Sequence, residues 1–304
     1  MAISRTQLVK ELEPGLNALF GLEYKRYENQ HAEIYVTESS DRAFEEEVML
    51  SGFANAQTKA EGSGVAFDSA QETYTARYTH DTIALAFAIT EEAIEDNLYD
   101  RISSRYTKAL ARSMSNAKQV KAVTPLNDGL PSTDSFDSGD GVSLFNTAHT
   151  TVSGTNVKNT LTTQADLNET SLEQSLIDIA AMTDERGLRI AARGVKMIIP
   201  SANQFTAERL MKSQGRTGTA DNDINAIGSM GMIPQGYRVN NYLTDSDAFY
   251  IITDVPNGMK MFQRAPLKTA MEGDFDTGNV RYKARERYSF GVSDYRGIFG
   301  VEGA

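Results

Sequence analysis

The longest alternating stretch of the chain is Thr73–Ile89, TYTARYTHDTIALAFAI, rich in β-branched and aromatic side chains and free of Gly and Pro. Strands in globular domains usually hold about five or six residues. At roughly 3.3 Å per residue this one would reach about 56 Å, whereas a compact chain of this length has a radius of gyration of about 19 Å. The alternation also changes phase. Tyr74, Ala76 and Tyr78 lie on one face and Ile83, Leu85, Phe87 and Ile89 on the other, because odd and even positions point oppositely. A phase switch near His80–Thr82 predicts a bulge or twist between two burial environments. The half from Ile83 onward should pack on its own domain, and the half carrying Tyr74 and Tyr78 on something else.

Ahead of this strand, residues 54–72 are small, polar and Gly-bearing, the composition of a mobile loop tip. Residues 41–89 therefore read as a long β-ribbon that turns near Lys59–Gly64. After it, Thr90 stands as an N-cap before Glu91 and Glu92. Apolar residues then recur at three- and four-residue steps from Ala93 to Val120, which predicts one helix over 91–122, about 48 Å long. Pro125 and the following NDG are expected to close it.

The remaining pattern is less extreme. Residues 4–29 suggest two short helices broken at Pro14-Gly15, and AEIYVTE a short strand. Residues 127–165 read as loop. A helix at about 168–186 would end on Gly187, and GVKMIIP would be a buried strand. A helix capped by Ser201 follows, then a flexible loop at 215–231. Strands come at about 236–242 and 248–253, and the chain ends β-rich. This is an α+β chain with two oversized elements and two large loops.

Composition narrows the chemistry. Hydrophobic residues make up 40% and charged residues 23%, as in folded soluble proteins. No apolar run approaches the ~20 residues of a membrane helix, and the N-terminus lacks a secretory apolar core. The absence of cysteine removes disulfides and thiolate sites. A formal charge of −11 makes a poor generic nucleic-acid binder, because that affinity rests on Lys and Arg displacing counterions; any contact with nucleic acid is expected to be loose.

No catalytic constellation stands out. His31, His80 and His149 share no helical turn, so a zinc site is not expected. Asp134, Asp137 and Asp140 are three apart, where a calcium loop needs carboxylates two apart and a closing Glu. Ser115 and Lys118 fit a Ser-x-x-Lys pair without its companion motifs. No catalytic, cofactor-binding or metal residue is assigned. Lys59 at the loop tip reads as a solvated lysine, with a crosslink to a neighbouring subunit as the sharper alternative.

Several segments together carry a resemblance: SLFNTAHTTVSGTNVKNTLTT, TDERGL, GVKMIIPSANQFTAERLM, and the ending MFQRAPLK with GNVRYKARERYSFGVSDYRGIFG. In order and spacing they resemble the major head (major capsid) proteins of tailed bacteriophages, nearest in flavour to the Mu-like major head subunit group. That resemblance implies the capsid fold shared by tailed phages and herpesvirus shell floors. It places an N-terminal arm at 1–37, an extended loop at 38–89 and a peripheral domain with its spine helix at 90–165. An axial domain would span 166–265, and 266–304 would return through the peripheral sheet to a C-terminal strand. It implies a non-enzymatic subunit of an icosahedral virion shell, assembled in the host cytoplasm as pentamers and hexamers around double-stranded DNA. The implied partners are a separate scaffolding protein, a portal and a decoration protein, with no cofactor and no membrane. Inter-subunit contacts are expected from Lys59, Tyr74, Tyr78, Ile83, Leu85 and Phe87, and a capsomer-centre loop from Arg216, Asp221, Asn222 and Asp223. The alternatives are a nanocompartment shell of the same fold around enzyme cargo, and a soluble oligomeric enzyme with a β-arm.

Overall fold

A computed structural model describes residues 5–90, 92, 99–215, 223–274 and 278–304. Helix α1 (Arg5–Arg26) leads into strand β1 (Val36–Ser39). Strands β2 (Phe44–Leu50) and β3 (Glu72–Thr79) pair with each other as a two-stranded ribbon. Its connecting residues carry no regular structure and are exposed from Phe53 onward, with a turn at Ala60–Ser63 inside the predicted window. Strand β4 (Asp81–Ile89) follows after one residue, His80. The long run is thus two strands in different sheets, broken where the alternation changes phase.

Helix α2 (Tyr99–Asp128) is the long helix. Residues 91 and 93–98 of the expected start lie outside the described residues, and the end lies beyond Pro125 rather than before it. Pro14 likewise sits inside α1 without dividing it. Proline normally costs a helix about 3 kcal/mol, and here packing outweighs it. Leu16 and Phe20 of α1 are buried against Leu110, Ala111 and Met114 of α2, while Val123 and Leu126 on either side of Pro125 are buried in the main core.

The loop that follows holds two short strands, β5 (His149–Thr150) and β6 (Asn156–Val157). Helix α3 (Glu169–Ala181) starts on an Asn168 capping box. It ends five residues sooner than expected, at Met182 in extended backbone; Gly187, at φ +83°, serves the turn after Asp184 instead. Strand β7 (Gly194–Ile199) runs through a 3₁₀ turn at Ser201–Asn203 into α4 (Gln204–Lys212), so Ser201 does not cap that helix. Within the expected loop 215–231 lies α5 (Ala226–Met230), capped by the Asn225 side chain. Strands β8 (Tyr237–Val239), β9 (Phe249–Thr253), β10 (Met259–Gly273), β11 (Val280–Val292) and β12 (Ile298–Val301) complete the chain.

Two four-stranded sheets organise these elements, in the orders β1-β10-β11-β4 and β12-β9-β7-β8. Pro266 falls within β10, and register shifts between Gln263 and Lys268 accommodate the donor it lacks. The first sheet packs one face on α1 and α2 through Tyr282 and Ala284, with Ile83, Phe87, Leu267 and Met271 around them. The second sheet builds the main core around Phe145, Phe249, Tyr250 and Phe299. Strand β12 is an edge of this second sheet, so the chain's last strand leaves the first sheet behind.

Candidate assembly surface

The ribbon β2–β3 is a stalk fixed along one face and open on the other. On the fixed face, Tyr78 is only 2% exposed, with Ala76 and Phe262 packed beside it. Its ring meets Phe262 edge-on at 4.8 Å between centroids, and its hydroxyl lies 2.5 Å from that of Ser293. Gly291 makes this possible: a Cβ there would stand 2.7 Å from the Tyr78 ring. Tyr74 is half-buried against the main core and donates to the Ser293 carbonyl at 3.4 Å.

Lys260 anchors the neighbouring strand. Buried on β10, it reaches Glu47 of β2 at 2.5 Å and Glu38 of β1 at 3.2 Å. Burial alone would push its ammonium down, but the two carboxylates outweigh that and hold it above the ordinary lysine range.

His80 is the joint between stalk and sheet. Its Nε2 lies 2.9 Å from the Ser40 hydroxyl and its Nδ1 2.9 Å from that of Ser289. Ser40 donates to Glu45 at 2.6 Å, so Nε2–H donates to Ser40 and Nδ1 accepts from Ser289. The ring is neutral in this arrangement. Burial and the nearby Arg287 push its pKa down, partly opposed by Glu45.

The open face of the ribbon mixes apolar side chains with the Glu46–Arg77 pair. Phe44, Val48 and Leu50 all point outward from β2, and Leu50 is 60% exposed. Beyond them Phe53, Val65 and Phe67 stand in the loop, Phe67 at 99%. Arg77 of β3 lies 4.1 Å over the Phe44 ring and 3.8 Å from Glu46. Large apolar side chains are thus exposed along the ribbon and its loop, with the Glu46–Arg77 pair among them.

The structure redistributes the expected contact residues. Tyr78 faces the chain's own interior because Gly291 and Ser293 receive it, which corrects its assignment to a neighbour's surface, while Tyr74 is half-buried beside Ser293. Ile83 and Phe87 are half-buried under the helices; the Phe87 ring lies 5.6 Å from Tyr282. Leu85 on the same strand remains 47% exposed, and Lys59 is exposed at the loop tip. Asp223 is exposed, while Arg216, Asp221 and Asn222 lie outside the described residues.

The polar groups weighed for catalysis are engaged in scaffolding. Lys118 bonds Glu286 at 3.2 Å, and Tyr24 donates to the same carboxylate at 3.4 Å, so Lys118 and Ser115 form no dyad. Burial raises the Glu286 carboxyl despite the opposing charge of Lys118. His149 stacks on Tyr295 at 3.8 Å and joins Asp140 at 2.6 Å and the Asn159 amide oxygen at 3.1 Å. Arg296 ties Glu185, at 2.6 Å, to Asp294, at 3.2 Å. Among the described residues no group of three or more His, Asp or Glu could hold a metal ion.

This two-sheet body with a long helix and a two-stranded ribbon is similar in fold to solved capsid subunits. The capsid of Myoviridae phage XM1 is similar with a TM-score of 0.54 at 10% identity, over 89% of this chain and 90% of that one. A virus-like particle from Pyrococcus furiosus aligns with a TM-score of 0.53 at 10% identity, over 95% and 98%. The procapsid of bacteriophage JBD30 gives 0.53 at 12% identity, over 99% of this chain and 77% of that one. At these identities the likeness establishes the fold. Residues 72–301 match the phage capsid protein family, and the chain belongs to that family. Its members are structural proteins of the virion shell rather than enzymes. No curated protein sequence matches the chain.

Proposed function

We propose that the chain assembles through the outward face of its ribbon into pentamers and hexamers that close an icosahedral head of Mu-like kind around double-stranded DNA. One observation carries this reading. The ribbon is clamped on its inner face by Tyr78 and Lys260, yet it holds Phe44, Val48, Leu50 and Phe67 in solvent. Full burial of such side chains contributes about 1.5–3 kcal/mol each as an upper estimate. A symmetric shell repeats that gain at every contact. Lys59 and Leu85 add exposed contact positions, and the segment with Arg216, Asp221, Asn222 and Asp223 is the proposed capsomer-centre loop. A scaffolding protein, a portal and a decoration protein complete the proposed partners, with assembly in the host cytoplasm.

Electron microscopy of the purified chain tests this reading. Rings or closed shells are expected, and a discrete small oligomer at every concentration would overturn it. The likeness to a virus-like particle favours a second reading, a shell of the same fold around protein cargo. Extraction of purified particles separates the two: nucleic acid supports the head, and a cargo enzyme supports the compartment.

A further inference from the structure

The net charge of −11 is unevenly distributed. Residues 101–127 contain Arg101, Arg105, Lys108, Arg112, Lys118 and Lys121 and no Asp or Glu. Two of the six are paired within the chain, Lys118 with Glu286 in the interior and Lys121 with Asp81 at the surface. Arg105, Lys108 and Arg112 are exposed on α2, and none has an ion-pair partner among the described residues. At 100° per residue the three fall within a sector of about 60°, with Asn116 on the same stripe, spanning about 16 Å from Arg105 to Asn116. The opposite side of the helix, Leu110, Ala111 and Met114, is buried against α1 and the first sheet. Packing therefore fixes which side of α2 meets solvent.

We infer that this solvent face of α2 is a binding site for the phosphate backbone of nucleic acid. The residue types decide between polyanions. Protein interfaces have aromatic and apolar centres, are enriched in Arg and are depleted in Lys and Ser, so Lys108 and the polar neighbours carry the distinction. The stripe has Arg, Lys, Arg and Asn, with Ser113 beside them, which is the set that contacts phosphate and sugar oxygens. Ala109 lies between the cations and leaves them accessible to an extended backbone. The contact reads no sequence, because side chains that meet only phosphate and sugar carry no base information. An acidic chain is a poor binder on average, but three cations on one rigid face, without ion-pair partners among the described residues, make a local site. The inference leans on the shell reading only for how nucleic acid would arrive at this face.

The test uses the purified full chain and a labelled 30-base-pair duplex, with binding followed by fluorescence anisotropy between 50 and 200 mM salt. The combined variant Arg105→Gln, Lys108→Gln, Arg112→Gln should lower the slope of log affinity against log salt by about 2.7, from about 0.9 per phosphate contact. Across that salt range the parent chain then loses about 40-fold more affinity than the variant. Lys283→Gln with Arg285→Gln, exposed cations on the first sheet, should leave the slope unchanged. Circular dichroism checks that each variant is folded, and restoring lysine at all three positions should restore the slope. The inference is overturned if the triple variant keeps the parent slope, if the sheet pair carries the loss, if the parent chain binds no duplex at 50 mM salt, or if polyglutamate binds as tightly as the duplex. The measurement needs no particles, so a chain that binds duplex but never assembles would sink the shell reading and leave this one standing.

Discussion

The hydroxyl of Tyr78 lies 2.5 Å from that of Ser293, 215 positions further along the chain, and the ring beside it rests where Gly291 has no side chain. This contact seats the ribbon on the body. Gly291→Ala forces a methyl group to 2.7 Å from the ring and should destabilise the fold by about 1–3 kcal/mol, the usual cost of overpacking. Tyr78→Phe removes only the hydrogen bond and should cost about 1 kcal/mol. Urea unfolding of both variants checks the order; a Gly291→Ala chain as stable as the parent would refute the seating.

The outward face should separate folding from assembly. Val48→Asp with Leu50→Asp alters exposed positions, so the subunit's stability should stay within about 0.5 kcal/mol. Sedimentation should show that shells or capsomers no longer form. Leu85→Asp is expected to act in the same direction. Normal particles from the double variant would remove the ribbon from the interface.

Acid should weaken the fold through His31. Gln119 accepts from the His31 backbone N–H at 3.0 Å through its Oε1, so its Nε2–H₂ faces the ring Nδ1 at 3.0 Å and needs it unprotonated. Burial, with Lys118 nearby, lowers the ring's pKa from 6.5 to about 4. Between those values the unfolded chain binds the extra proton, so stability rises with pH across the window. The contribution is fully present above about pH 6.5 and lost below about pH 4, on the order of 3 kcal/mol. His80 shifts in the same direction. Urea midpoints at pH 7 and pH 4.5 should differ less for His31→Gln than for the parent; an unchanged difference would contradict this.

Salt should promote assembly. Subunits carrying a formal charge of −11 repel one another, and the screening length falls from about 30 Å at 0.01 M to about 10 Å at 0.1 M. Light scattering should rise faster at the higher salt. A slower or unchanged rise would mean that attractive ion pairs dominate the contacts.

The hinge was legible because a strand cannot change its buried face without a break, and the even-to-odd switch at His80 marks one. What receives each half was not legible. Gly291 and Ser293 meet Tyr78 from more than two hundred residues away, and no local pattern announces such a pairing. Pro14 and Pro125 misled in the same way. Read locally they end an element, whereas in the fold the helices continue through buried Leu16, Phe20, Val123 and Leu126. The Lys260 clamp left one local trace, a lysine inside the otherwise apolar MKMF. The basic stripe was masked by averaging, since the acids that set the net charge lie outside residues 101–127.

Hydroxyl-radical footprinting of the free chain and of assembled particles tests the central claim, that the ribbon's outer face is the surface between subunits. Phe53 and Phe67 should react readily in the free chain and become several-fold less reactive in particles, while Tyr78 stays unreactive in both. Equal reactivity of Phe67 before and after assembly, or a reactive Tyr78 in the free chain, would contradict the account.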